Sequence, residues 1–498
     1  MDAVEQLQDD LREGRIAPLR LIELLLVSQR QLHVAHQRIA ELEKQLGGSP
    51  PPKIDEPFSL RSEEKRQDAR TRKKRKPPRP GRRGRFTTAD KVARAQREQD
   101  VVPDGVGKSD CRLSHIRPVW RLENGRAVLV AYHIYRGPNS RYGKIPGVLG
   151  RSEFGLEIVV AIAYLVYVVG LSFDKVCLVF NFFEHLKLSK AQADALLRQL
   201  ACHWHNEFEA LCTLSANSLV VHADETSWSL NSVWAFLSEK ARVLFFGVHK
   251  DAHTLKQILD PATFAGTVIS DDAAVYRNFT RAQKCWAHLL RKAIKLTLHD
   301  PNNPDYRRFA DRLLSIYRDA CRVQRDGRLG DAGRARKIAT LDEAIFELCE
   351  PMWGVDASAV EGSDKDYRRL INEIMRLMIA QELFLFVTAK PVDQPNGVAQ
   401  SVGATNNEAE RTLRGSSQAR KTGRTNKTLV GARRQTIVTS VLESLRLYLP
   451  MFTLSSVLAE IRRWTQTGRS CFTELLETLK IPPPEESVLD RVLPHPSG

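Results

Sequence analysis

Apolar and polar positions along this chain change period several times, and each change predicts a boundary. Over residues 1–48 apolar side chains recur three and four apart through Leu25, Leu32, Ala35, Ile39, Leu42 and Leu46, with Ser28 the weak seam position, until Gly47 and Gly48 end the run. That spacing predicts a helix. About three heptads are only just enough for a coiled coil, so the helix either pairs chains into a homodimer or higher oligomer, or packs on its own protein. Residues 49–111 have no apolar period. They open with Ser49-Pro50-Pro51-Pro52, and Arg70 to Arg85 is almost entirely Arg, Lys, Pro and Gly. Such a composition cannot bury a core and predicts a disordered basic linker.

Order returns at residue 112. Val119 to Tyr135 reads as a hairpin turning at Asn124-Gly125, the strongest short-range signal for one. Helical spacing then runs to residue 215. Ile158 to Leu171 is the longest uncharged apolar run, too short to cross a bilayer, and reads as a buried helix. Within Leu171 to Leu200, Ser172 can cap one helix, and Ser189 with Gln192 can form a capping box for a second. This pair is either a plain helical hairpin or a helix-turn-helix that reads DNA, although its second helix carries few basic residues beyond Lys190 and Arg198. From residue 216 the period shifts again. Leu219–Asp224, Ser232–Leu237, Val243–Val248 and Thr267–Ser270 read as strands, with a helix near His253–Leu259. Residues 301–400 are mainly helical, a new helix begins near Thr405 within 401–450, and 451–498 form a helical tail. This order predicts an α/β core over 216–300 and 401–450, interrupted by a helical insertion and preceded by a mainly helical region at 112–215.

Composition narrows the class of partner. A net charge of +16 over 498 residues favours a polyanion, nucleic acid ahead of acidic membrane. Arg72, Lys73, Lys74, Arg75 and Lys76 in the linker can hold phosphates without reading sequence; a solvated tether is the alternative. No signal-peptide pattern opens the chain, because acidic residues begin at Asp2 and no early apolar core follows. The eight cysteines are scattered without a CxxC pair, which argues for reduced thiols in a cytoplasmic protein and against a disulfide scaffold or zinc ribbon.

Three acidic motifs stand out against this basic background: HADET around Asp224, ISDD around Asp271, and NNEAER around Glu410. Asp224 ends the first predicted strand and Asp271 the fourth. Alternation along a strand turns Glu225 and Asp272 elsewhere, and neighbouring parallel strands would bring Asp224 and Asp271 to one rim. Thr405 with Glu408 fits a capping box, which gives Glu408 a structural role. Glu410, roughly 200° further around the helix, is the better ligand candidate. Carboxylates gathered in this way suit divalent ions that break phosphodiesters. Taken singly, each is equally a turn former or, for Glu410 with Arg414, half of a surface ion pair.

At these motifs the chain resembles the DDE transposases of the insertion-sequence-66 family: HADET, then ISDDAAVY followed by Cys285-Trp286-Ala287-His288, then TNNEAERTLR, in that order. The likeness is closest over residues 216–300 and 400–450. It implies a ribonuclease-H-like catalytic core with a helical insertion, preceded by a DNA-binding region and a coiled-coil-like helix. Asp224, Asp271 and Glu410 would hold two Mg²⁺ (or Mn²⁺) ions for DNA cleavage and strand transfer. The implied partners are double-stranded DNA, as element ends and target, and accessory proteins of the same element; the implied location is the bacterial nucleoid. His288 would lie near the scissile phosphate or orient the acidic site, and Trp286 reads as core. With no further partner at zinc-ligand spacing, Cys285 and His288 are not expected to bind metal. Arg411, Arg414, Arg420, Lys421 and Arg424 are placed to hold the DNA backbone, though a solvated basic face would look the same. There is one departure. Where many relatives carry a cysteine-paired zinc-finger-like element, only Cys111 near His115 remains. Recognition of element ends would then fall to residues 112–215 or to a partner. Two other classes stay open: an inactive DNA-binding protein on the same scaffold, and a ribonuclease-H-like nuclease that cuts without joining.

Overall fold

The computed structural model describes residues 87–354, 362–395, 397, 399–484 and 486–494. The helix expected over 1–48, most of the linker and the basic run Arg72 to Lys76 lie outside the described residues. The end of the linker lies within them and corrects the expected disorder up to residue 111. Helix α1 (Thr88–Val92), strand β1 (Arg97–Val101) and a 3-10 turn at Lys108–Asp110 fold ahead of the hairpin strands β2 (Arg112–Glu123) and β3 (Arg126–Arg136). The cause is long-range. β1 runs parallel to β3, from Arg97 opposite Val130 to Val101 opposite Ile134. Only Val101 of β1 is buried, so no apolar alternation announces the strand. The hairpin itself turns where expected: Asn124 (φ 49°) and Gly125 (φ 74°) both take the left-handed conformation that a two-residue type I′ turn needs.

Helices α2 (Leu156–Ala163), α3 (Phe173–Phe183), α4 (Lys190–His203) and α5 (His205–Ala216) follow. A π-helical turn at Tyr164–Val168 continues α2. Ser172 caps α3, and Ser189 with Gln192 forms the capping box of α4. On its second helix, Lys190 pairs with Asp174 and Arg198 with Asp194, both at 2.7 Å. That neutralisation favours the plain helical hairpin.

The central sheet contains β4 (Val220–Ser227), β5 (Ser232–Ser238), β6 (Arg242–Val248), β7 (Thr267–Ser270) and β8 (Ala282–Lys284) in the spatial order β6-β5-β4-β7-β8. The first three form an antiparallel meander, and β7 and β8 continue parallel to β4. Helix α6 (Ala252–Ile258) leads from β6 to β7. One face of the sheet presents Val221, Ala223, Trp234, Phe236, Val243 and Phe245 to the largest core, which α2–α5 share. The opposite face carries Val233, Ala235, Leu244 and Phe246.

The insertion comprises α7 (Trp286–His299), α8 (Pro304–Arg325), α9 (Asp331–Cys349), α10 (Ser363–Ile379) and α11 (Leu385–Thr388), packed around Leu313, Ile316, Ile345 and Ile374 in a second core that Val220 of β4 and Ile269 of β7 also join. Two short strands, β9 (Val392–Asp393) and β10 (Ala399–Gln400), lead to α12 (Asn407–Lys421) and α13 (Leu429–Tyr448). The tail forms α14 (Leu454–Thr467), α15 (Cys471–Thr478) and α16 (Val488–Val492). It folds back: Trp464, Phe472 and Leu489 join the main core. Buried Glu209 of α5 accepts from the amides of Val488 and Leu489 at 2.8 and 3.2 Å, satisfying donors that a helix N-terminus leaves open.

The outer edge of β6 is sealed by α13. Amides of Arg242, Leu244 and Phe246 donate to Ser444 Oγ, Ser440 Oγ and Thr436 Oγ1 at 2.9, 2.9 and 3.0 Å. Spacing explains the match. Four helical residues rise about 6 Å and two strand residues about 6.6 Å, so one ridge of hydroxyls stays in step with alternate amides. An edge that would otherwise invite another strand is thereby closed.

Candidate active site

Pairing between β4 and β7 sets Val220 opposite Thr267, Val221 opposite Val268 and His222 opposite Ile269. Extending that register places Asp224 level with Asp271, where β7 has ended and the chain turns away. Asp224 is not at a strand end, as the sequence suggests, because β4 continues to Ser227 and Asp224 pairs with Ala235 of β5. Its rim position comes from the end of β7 rather than of β4. The carboxylate lies on the same sheet face as Ala235, the face on which α12 packs through Leu413.

The neighbouring acids are neutralised one by one. Glu225, on the opposite face, is held by Lys250 at 2.5 Å and by the Tyr276 hydroxyl. Asp272 pairs with Arg376. Glu408 pairs with Arg242 at 2.6 Å. The capping box expected at Thr405 and Glu408 does not form: α12 begins at Asn407, its N-cap is Asn406, and no side chain caps it. An ion pair with β6 outcompetes a local cap for the Glu408 carboxylate.

Asp224 and Asp271 differ. Neither makes an ion pair among the described residues. Each accepts a local backbone amide instead, from Glu225 at 2.9 Å and from Ala273 at 3.0 Å. Burial pushes the Asp224 carboxyl up to about 7, with further contributions from the charges of Glu225, Asp271 and Glu410. The three candidate carboxylates therefore share one electrostatic neighbourhood.

Glu410 reaches it from the first turn of α12, but its Oε1 lies 2.7 Å from Arg291 Nη2 and 3.7 Å from His288 Nδ1. Burial, and then the Arg291 charge, hold the His288 imidazole below its usual range. Cys285 Sγ, His288 and Glu410 bring ligand atoms within 4.8 Å of one another. The sequence offers Cys285 and His288 no further partner at ligand spacing; folding brings Glu410 beside them.

The hub of this arrangement is Asn406, which is wholly buried. Its Nδ2 donates to Ala223 O at 2.8 Å, its Oδ1 faces His222 Nδ1 at 3.3 Å, and its backbone amide points to Cys285 Sγ at 3.1 Å. One residue thus ties the start of α12 to β4 beside Asp224 and to the head of α7. Trp286 is core, as expected, with its indole N–H donating to Leu383 O at 2.7 Å.

Arg411, Arg414 and Lys421 are exposed on α12. Arg420 donates to Ser227 O at 2.9 Å, and Arg424 donates to Gly170 O, so both hold other parts of this chain. Sequence reasoning missed Arg291, Lys250 and Lys284. Arg291 had a faint signal, lying one helical turn after His288. Lys284 directly precedes Cys285; it is 1% exposed and lies near Ser270 Oγ at 3.3 Å. Lys250 had no signal.

The mixed sheet sets Asp224 and Asp271, which form no ion pair among the described residues, on the face where α12 packs with its exposed basic residues. The family model of IS66-family transposases matches residues 151–434, more than half of the chain. The chain belongs to that transposase family, and DNA is accordingly its partner. No curated protein matches it. Among the described residues, no helix is long and apolar enough to cross a membrane.

Proposed function

We propose that this transposase is of the DDE type: Asp224, Asp271 and Glu410 on a ribonuclease-H-like core cut the ends of a mobile element and join them to target DNA. One observation carries the reading. Glu225, Asp272 and Glu408 are each held in an ion pair, whereas Asp224 and Asp271, at one rim, make none among the described residues. A site of that kind needs a cation, and an all-oxygen donor set suits Mg²⁺ or Mn²⁺. Bound there, such ions would supply a nucleophile at neutral pH and stabilise the leaving oxygen.

The chain's own residues do the positioning. Asp224 sits on β4, and Asp271 directly follows the end of the adjacent parallel strand β7. Arg291 holds one oxygen of Glu410 and leaves the other for the site. Arg411, Arg414 and Lys421 present charge for the DNA backbone on the same helix as Glu410. The five-stranded mixed sheet with helices on both faces supports a ribonuclease-H-like core.

The test is cleavage and strand transfer on DNA carrying the element ends, with Mg²⁺ or Mn²⁺. Asp224→Ala, Asp271→Ala and Glu410→Gln should abolish both while DNA binding survives. Unchanged strand transfer in any of them would sink the assignment. Cleavage without joined products would favour a nuclease, and binding without cleavage in the wild type would favour an inactive scaffold.

A further inference from the structure

The head of α7 holds an arrangement that the carboxylate reading does not use. Cys285 is 1% exposed and precedes the first residue of α7. Burial pushes the Cys285 thiol up, and the Asn406 amide, 3.1 Å from the sulfur, offsets part of that rise. His288 lies three residues on, its own amide bonded to Cys285 O at 3.1 Å, which turns the two side chains toward the same side. Its Nδ1 is shielded from water and has no hydrogen-bond partner; Glu410 Oε1, at 3.7 Å, is beyond hydrogen-bonding reach. The imidazole, the carboxylate and the thiol are all side chains of metal-ligating type.

We propose that Cys285, His288 and Glu410 form a three-ligand site for a soft divalent transition-metal ion of the Zn²⁺ class. Their ligand atoms already lie within 4.8 Å of one another. Atoms sharing a tetrahedral zinc lie about 3–4 Å apart, given zinc–ligand bonds of about 2.0–2.3 Å, so closure asks for side-chain adjustment only. The donor set is sulfur, nitrogen and oxygen. That selects against Mg²⁺, which prefers all-oxygen ligands, and separates this site from the Asp224–Asp271 rim. Three protein ligands leave a fourth position open for water or a phosphate oxygen. On binding, the Cys285 thiol releases its proton to solvent, His288 binds as the neutral imidazole and Glu410 as the carboxylate. Arg291 can remain on one oxygen of Glu410. A zinc-class ion here would draw Glu410 away from Asp224 and Asp271; that consequence rests on the catalytic reading, whereas the site itself does not.

The probe is Co²⁺ added to the metal-stripped full-length chain, followed by its visible bands and its thiolate-to-metal absorption. One tight equivalent with thiolate character is expected in the wild type. Cys285→Ser, His288→Gln and Glu410→Gln should each weaken it by about tenfold or more, since even outer-shell changes cost about tenfold or more. Asp224→Asn and Asp271→Asn should leave it unchanged. Circular dichroism checks folding; should Cys285→Ser fail to fold, the half-buried His288 and Glu410 variants carry the test. Absence of a thiolate band, or a band equal in wild type and Cys285→Ser, overturns the site. So does a band that depends on Cys285 alone, which would mark an isolated thiol. A wild type that binds Co²⁺ in this way yet fails in strand transfer would retain this site and lose the catalytic reading.

Discussion

Two parts of the central sheet treat their polar groups in opposite ways. Along the outer edge of β6, alternate amides find hydroxyl partners on α13 in a continuous ridge of Thr436, Ser440 and Ser444. At the rim between β4 and β7, Asp224 and Asp271 make no ion pair among the described residues, although Lys250 and Arg376 neutralise the acids that follow each of them, Glu225 and Asp272. The edge is complete without a partner, and the rim is not. Fold stability should therefore depend on the edge, and activity on the rim.

The largest expected effect breaks the rim. Asp224→Asn or Asp271→Asn keeps shape and removes charge, so metal-dependent DNA cleavage should fall by at least about a thousandfold, roughly 4 kcal/mol in the barrier. The melting temperature of the metal-free protein should not fall. A variant that loses activity only in proportion to lost folded protein would erase the contrast between the two regions.

Asn406 joins the two behaviours, since it is satisfied like the edge but serves the rim. In Asn406→Ala, the Ala223 carbonyl and the His222 ring lose their partner in a buried setting, at a cost of about 2–3 kcal/mol. Glu410 also loses the anchor that fixes its helix. Denaturant unfolding and cleavage should therefore both suffer, unlike the aspartate variants. Normal stability with normal cleavage would show that α12 is positioned by its packing on β4 and β5 alone.

The edge is tested by Ser440→Ala, which removes the hydroxyl and adds no bulk at this buried position. It strands the Leu244 amide, and the carbonyl of the same residue loses the hydroxyl at 3.3 Å. Stability should drop by about 1–2 kcal/mol, the desolvation cost of an unpaired buried donor, while the folded fraction keeps its cleavage rate per molecule. Equal stability in urea would mean that water reaches this edge.

What was legible beforehand follows the same division. Strands β4 to β7 announced themselves because they are apolar, and in Val220–Asp224 the apolar residues lead directly to the acid that matters. The alternation that set Glu225 apart from Asp224 is a property of any strand and could be read without a fold. β8 is three residues long, and β1 is held by an edge contact to β3, so neither has a period to read. The capping box at Thr405 was a sound local pattern defeated by Arg242, a residue far away in sequence. Arg291, Lys250 and the meeting of Cys285 and His288 with Glu410 are likewise products of distant contacts. Local chemistry could nominate Asp224 and Asp271, but only the fold reveals which carboxylates have been neutralised.

The smallest effect concerns the protonation of Asp224, and its sign separates a stabilising carboxylate from a strained one. Its folded-state pKa is raised from 3.8 to about 7, so the native protein holds this proton more tightly than the unfolded chain does. Stability from this group is therefore complete below pH 4, declines as pH rises, and is lost above about 7. Allowing for water at the rim, the loss amounts to about 1–2 kcal/mol. Asparagine cannot ionise, so Asp224→Asn should match the wild type near pH 4 and melt higher than it at pH 8, both without metal. Adding Mn²⁺ at pH 8 should raise the wild type toward the variant, because a cation relieves the repulsion that the substitution removes. A wild type more stable than the variant at pH 8 without metal would show that Asp224 is already balanced within the protein. The rim would then be as self-sufficient as the edge, and the case for a cation there would fall.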